Sequence, residues 1–120
     1  MQENYRRKGG YWDQSQAFLH NGNLIIRTQY KADSRLGEGY YSTCLDSGGL
    51  FEQTYGYFEC RCILPAAQGL WSSFWMLPHN TLAEGVAPAS GVEIDIFESP
   101  MFATRKNDFI TSNLHCGVNV

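Results

Sequence analysis

Residues 91–99 read GVEIDIFES. Val92, Ile94, Ile96 and Phe97 give this stretch the β-branched and aromatic character of a strand with one buried face. Three acids interrupt it: Glu93, Asp95 and Glu98. Side chains alternate along a strand, so Glu93 and Asp95 share a face. The next position on that face is Phe97, and Glu98 falls on the apolar side, where an unpaired carboxyl is costly to bury. One extra residue resolves the conflict. A β-bulge at Ile96 or Phe97 turns Glu98 back beside Glu93 and Asp95, and bulges are over-represented next to active sites.

The rest of the chain repeats this two-residue alternation, and no 11-residue window sustains helical spacing. Strands are expected over residues 17–20, 23–30, 39–44, 49–53, 57–64, 70–77, 92–98 and 109–117. Turn chemistry separates them: Asn21-Gly22, Asp46 to Gly49, Pro65 to Gly69, and Pro78 onward. Residues 79–90 and 99–108 read as loops. Short, evenly spaced strands without an internal repeat point to one all-β domain of the sandwich class.

Three of these strands share a design. Phe74 and Met76, then Val92, Ile94 and Ile96, then Leu114 and Cys116 make one side aliphatic or aromatic core. The opposite side carries Trp71, Ser73 and Trp75, then Glu93 and Asp95, then Asn113 and His115. An ordinary solvated sheet face carries Thr, Lys and Ser. Tryptophan beside acids and amides suits a ligand with flat apolar faces and many hydroxyls, which describes a sugar.

Composition bounds the alternatives. The chain has 120 residues, 43% of them hydrophobic and 18% charged, and a formal charge of -3. It is therefore globular, and it has no basic surplus with which to neutralise nucleic-acid phosphates. The basic cluster Arg6-Arg7-Lys8 reads as a solvated loop. No apolar run approaches the roughly 20 residues of a membrane span. The opening MQENYRRKGG has no apolar stretch behind its charges, so no signal peptide is read in it.

The four cysteines, Cys44, Cys60, Cys62 and Cys116, are read as small buried apolar residues. On a strand the Cys60 and Cys62 side chains stand parallel, about 6.5 Å apart. A disulfide needs Cβ atoms near ~4 Å, so these two are not expected to bond to each other. A bridge involving Cys44 or Cys116 stays open. There is no CxxC spacing, so no zinc site is assigned.

Two carboxyls roughly 5–5.5 Å apart can perform retaining glycoside hydrolysis, one as nucleophile and one as acid/base. On an unbulged strand Glu93 and Glu98 would lie about 16 Å apart at Cα. The bulge and two leaning side chains shorten that distance. Asp95 between them would share a proton or hydrogen bond with a neighbour. The same acids could instead line a strand edge or bind a cation. Calcium loops, however, interpose Gly, Asn and Asp between ligands rather than Ile and Phe.

EIDIFE at residues 93–98 resembles the E-x-D-x-x-E signature of glycoside hydrolase family 16. YGYFECRCILP at 55–65 and GLWSSFWMLP at 69–78 resemble the two segments before the signature in its laminarinase-like branch. GNLIIRT at 22–28 and LHCG at 114–117 resemble an early strand and the strand after the signature. Ser72-Ser73 stand where the family usually carries Pro-Ala.

The resemblance implies a concanavalin-like β-jelly-roll sandwich of antiparallel sheets with a sugar groove on its concave face. It implies endo-acting, retaining hydrolysis of a β-glucan, first of all a β-1,3-glucan. Glu93 would be the nucleophile, Asp95 its assistant and Glu98 the acid/base. Trp71 and Trp75 would floor the groove, and His115 would approach the acid/base. No cofactor or catalytic metal is implied, and a structural calcium stays open. The expected partner is the polysaccharide, not nucleic acid or membrane, and the expected state is an extracellular monomer. Family domains exceed 200 residues, so residues 1–120 are expected to form one partial catalytic domain, truncated at its C-terminus. The alternatives are a non-catalytic β-glucan-binding module of the same architecture and a galactan-active hydrolase or transglycosylase.

Overall fold

A computed structural model describes residues 6–7, 10–78, 92–100 and 110–116, with backbone only at 6–7 and 116. The described residues are all-β apart from one 3-10 turn at Gln14–Gln16. The strands are β1 Arg6–Arg7, β2 Gly10–Trp12, β3 Ala17–His20, β4 Asn23–Ile26, β5 Gln29–Lys31, β6 Gly39–Ser42, β7 Trp71–Met76, β8 Val92–Pro100 and β9 Thr111–Cys116. Their antiparallel ladders are those from which a jelly-roll sandwich is built. One pairing departs from that pattern: β2 runs parallel to β6. The chain divides into two compact units between Ser47 and Gly48.

The first unit holds a sheet in the order β1-β2-β6-β5 and a hairpin of β3 and β4. Asn21 and Gly22 turn the hairpin with φ of 48° and 74°. This left-handed pair suits the right-handed twist of the strands it joins. Arg6–Arg7 pair with Gly10 and Tyr11 as a short edge strand, where the sequence reads as a loop. The expected strand over 23–30 is two strands, broken at Arg27 and Thr28. Arg27 bonds there to the wholly buried Gln16 twice, through its backbone N–H to the carbonyl (2.8 Å) and Nε to Oε1 (2.9 Å).

Tyr41 is the buried aromatic among the described residues of this unit. Its ring stacks on Tyr11 at 5.0 Å, and Lys31 Nζ lies 4.6 Å over it. Its hydroxyl donates to the Gly37 carbonyl at 2.6 Å, which satisfies the one polar atom the ring takes inside. Asp13 caps the 3-10 turn, accepting the Ser15 N–H at 2.9 Å, and pairs with Lys31 at 3.0 Å. The Ser15 bonds first, then Lys31, lower its carboxyl from 3.8 to about 2. A depressed carboxyl stabilises the fold above its unfolded value, and that contribution is lost as pH falls from 3.8 toward 2. Asp13→Ala should therefore cost about 1 kcal/mol in urea unfolding at neutral pH, and the gap between variant and parent should close toward pH 2.

The second unit holds a three-stranded antiparallel sheet, β7-β8-β9. Two expected strands are absent from it. Residues 49–53 and 57–64 have strand composition but join no described ladder. Alternation alone does not make a strand, because backbone N–H and C=O groups need a partner strand. Cys60 and Cys62 are accordingly exposed rather than buried, and Cys44 is half-buried. Partial burial, followed by the Cys60 neighbour, pushes the Cys62 thiol up.

Strand parity in the sheet is as expected, but burial is not. Val92, Ile94 and Leu114 are 40%, 37% and 68% exposed, while Phe74 and Met76 are half-buried. The expected loop at 79–90, most of that at 99–108, and the Cys116 side chain lie outside the described residues. Ser99 and Pro100 belong to β8. No described helix is long and apolar enough to cross a membrane.

Candidate active site

The central strand β8 positions the acids, and its neighbours supply their partners. Against β9, Asp95 pairs with Asn113 and Glu98 with Thr111, so β8 takes three steps where β9 takes two. Against β7, the adjacent residues Phe74 and Trp75 face Phe97 and Asp95, which leaves Ile96 as the extra residue. A bulge therefore lies between Asp95 and Glu98. Ser112 Oγ donates to the Ile96 carbonyl at 2.8 Å, satisfying an acceptor that the interrupted ladder would leave open.

The bulge decides where Glu98 goes. Its carboxylate lies on the face of Glu93 and Asp95, not on the side of Phe74 and Phe97, whose rings meet at 6.4 Å. Oε1 accepts from Trp71 Nε1 and Oε2 from Asn113 Nδ2, each at 2.9 Å. Asn113 Nδ2 also lies 3.3 Å from Thr111 Oγ1. Register completes the face. Trp75 stands across from Asp95, Ser73 across from Glu98, and His115 across from Glu93.

Asp95 is buried, with 3% of its surface exposed, and its Oδ2 lies 3.0 Å from His115 Nε2. Glu93 is half-buried, with its carboxylate within 4.8 Å of that of Asp95. Burial, and next the Asp95 charge, push the Glu93 carboxyl above its usual 4.5. Glu98 adds to that push, and His115 opposes it. The arrangement is thus a chain of three polar groups, Glu93 to Asp95 to His115, beside a separately held Glu98.

His115 stands with Asp95 and Glu93, because an unbulged stretch of ladder pairs it with position 93. Trp71 is half exposed and is also a hydrogen-bond donor to Glu98, a role its strand position did not suggest. Trp75 is half-buried on the same face. Asn113 and Thr111 had a signal in the sequence, since they share strand parity with His115. Only their register opposite Asp95 and Glu98 singles them out.

Glu93, Asp95 and His115 each offer a ligand atom, all within 4.8 Å of one another, and could share a divalent cation. In the present arrangement His115 is bonded to Asp95. Chemically, the face offers one carboxyl whose proton is held more tightly than usual, one carboxylate gripped by two N–H donors, and a tryptophan surface beside both.

Comparison with known proteins gives relatives over part of their length. The chain is 44% identical over 84 residues to the endo-1,3-1,4-beta-glycanase ExsH of Rhizobium meliloti (strain 1021), covering 67% of this chain and 17% of that protein. It is 43% identical over 105 residues to a beta-1,3-glucan-binding protein of Penaeus monodon, covering 80% of this chain and 28% of that protein. It is 41% identical over 63 residues to a glucan endo-1,3-beta-glucosidase of Cryptopygus antarcticus, covering 52% and 22%. No family model matches the chain, and no solved structure does. The chain spans less than a third of each of these relatives, whose names record both cleavage and binding of glucans.

Proposed function

We propose that this chain carries the catalytic centre of a retaining endo-β-1,3-glucan hydrolase, laminarinase-like and of glycoside hydrolase family 16. The observation that carries the reading is the bulge at Ile96, which brings Glu98 onto the face of Glu93 and Asp95 beside Trp71 and Trp75. Glucan-cleaving relatives at 41% and 44% identity support it.

In this mechanism Glu93 attacks the anomeric carbon while Glu98 gives its proton to the departing glycosidic oxygen. The bond from carbon to the leaving sugar breaks as the bond to Glu93 forms. Glu98 then takes a proton from water, which attacks the same carbon and frees Glu93. Asp95, itself bonded to His115, stands beside Glu93 and sets its acidity. Trp71 and Trp75 offer their rings to the sugar planes. The setting is a secreted protein that meets its polysaccharide outside the cell.

The test is release of reducing ends from laminarin by the protein, followed by proton NMR of the first product. The expected result is cleavage with the β-anomer appearing first. An early α-anomer would exclude the two-step route. Agarose and mixed-linkage glucan, run in parallel, report the linkage. A second reading, a β-glucan-binding module without catalysis, is favoured by the relative that covers 80% of this chain and is named for binding. It predicts retention of laminarin with no new reducing ends.

A further inference from the structure

The sheet of the first unit carries a second set of aromatic and hydroxyl groups, apart from the acids of β8. Tyr30 on β5 stands directly across from Tyr40 on β6. Tyr41, the next residue on β6, points to the opposite side and is wholly buried there. Tyr30 and Tyr40 therefore face outward, and they are 49% and 59% exposed. Their ring centroids are 5.3 Å apart and their planes meet at 68°. Rings so tilted form a corner, one as floor and one as wall. On the other flank of Tyr40, β2 places Gly10, which has no side chain to cover the ring.

Hydrogen-bonding groups border the corner. The Tyr30 hydroxyl donates to the Glu38 carboxylate. Thr28 and Ser42 lie two residues from the tyrosines, on the same face. Thr28 Oγ1 donates to Ser42 Oγ at 3.1 Å, which leaves the Ser42 proton and further acceptor positions to a ligand. The charge at this edge is that of Glu38, because Lys31 lies over the Tyr41 ring on the other face. An acidic edge repels anions and accepts from hydroxyls.

Size decides the kind of occupant. The exposed parts of the two rings amount to roughly 200 Å². Stable association of two protein surfaces takes about 800 Å² on each. A corner this small, aromatic and rimmed with hydroxyls, fits the face of a sugar ring.

We propose that the Tyr30–Tyr40 corner is a second glucan-binding site, which takes the C–H face of a neutral β-linked glucose unit on its rings and the sugar hydroxyls on Glu38, Ser42 and Thr28. It holds polymer and does not cleave it. That the ligand is a glucan rests on the reading of the protein as a glucan hydrolase.

Nitration by tetranitromethane, read by mass spectrometry, reports each ring separately. The Glu93→Ala protein keeps laminarin intact during the measurement. Saturating laminarin should slow nitration of Tyr30 and Tyr40 several-fold, while buried Tyr41 stays unmodified with and without the polymer. Unchanged nitration of Tyr30 and Tyr40 would overturn the site. Equal protection by polygalacturonate, an anionic polymer that the Glu38 edge should repel, would also overturn it. Protection that grows with protein concentration in the absence of laminarin would give the corner to a second copy of the chain and overturn it too.

The laminarin concentration that half-protects Tyr30 should rise about 3- to 10-fold in Tyr40→Ala and stay within about twofold in Tyr40→Phe, which keeps the ring. An unchanged midpoint in the alanine variant, or an equal rise in the phenylalanine variant, would overturn stacking on Tyr40. With Glu93 intact, Tyr40→Ala should cleave 2,4-dinitrophenyl β-laminaribioside, a short substrate with an activated aryl leaving group, at the parent kcat/KM. A loss there as large as the rise at Tyr30 would show damage spread through the fold and overturn the assignment. A parent that releases reducing ends from laminarin while nitration is unchanged refutes this site alone. Protected tyrosines in a parent that releases none refute the hydrolase reading and leave the site standing.

Discussion

Glu93→Ala is expected to lower kcat/KM for laminarin about 10⁴-fold or more, because the covalent intermediate cannot form without its nucleophile. Sodium azide should restore turnover of the activated aryl glycoside. The small anion enters the space left by the carboxylate and attacks the anomeric carbon from the face that Glu93 would use. The carbon–nitrogen bond forms as the aryl oxygen departs, and the product is the α-glycosyl azide. A variant that cleaves as fast as the parent would overturn the assignment.

The acidity of Glu93 gives the same prediction a pH signature. Burial and the Asp95 charge raise its pKa above 4.5. The nucleophile works only when ionised, so the acid limb of kcat/KM should lie above that value. Asp95→Asn removes the neighbouring charge and should move the limb to lower pH. The linkage to stability has the opposite sign from that of Asp13. A raised carboxyl stabilises the folded state below its unfolded value, and that contribution is lost as pH rises through the folded one.

Glu98→Ala should show a split that Glu93→Ala lacks. Glucan loses its proton donor, and kcat/KM is expected to fall by about 10²- to 10⁴-fold. The dinitrophenyl glycoside needs no proton to leave and should still form the glycosyl-enzyme at close to the parent rate. Breakdown of that intermediate then becomes slow, because no base activates water, and a burst of dinitrophenol should precede a low steady rate. Azide should accelerate the second step and yield the β-glycosyl azide, the product of two displacements. The two azide stereochemistries identify the roles independently of the pH profiles. An α-azide from Glu98→Ala and a β-azide from Glu93→Ala would reverse the assignment.

Much of this site is legible in the residues alone. Alternation of period two puts Trp71 with Trp75, Glu93 with Asp95, and Asn113 with His115, because the pleat sends every second side chain to one face. Glu98 at the wrong parity implies the bulge, since leaving its carboxyl on the apolar face is too costly. Asn21-Gly22 marks its hairpin because only a few residues tolerate the left-handed conformation. The same period fails at residues 49–53 and 57–64. Hydrophobic alternation records what a strand needs of its two faces and nothing about whether a partner is present to complete its ladder.

The sequence by itself determined that the chain is all-β and that three acids and two tryptophans belong to one face, because side-chain parity is a local property of extended backbone. The tertiary structure decided the position of the bulge at Ile96, the join of His115 to Asp95, and the grip of Trp71 and Asn113 on Glu98. These depend on which residues stand opposite one another across two ladders. Register between strands 15 to 27 residues apart is a long-range property, set by the packing of β7, β8 and β9 together and not by any one of them.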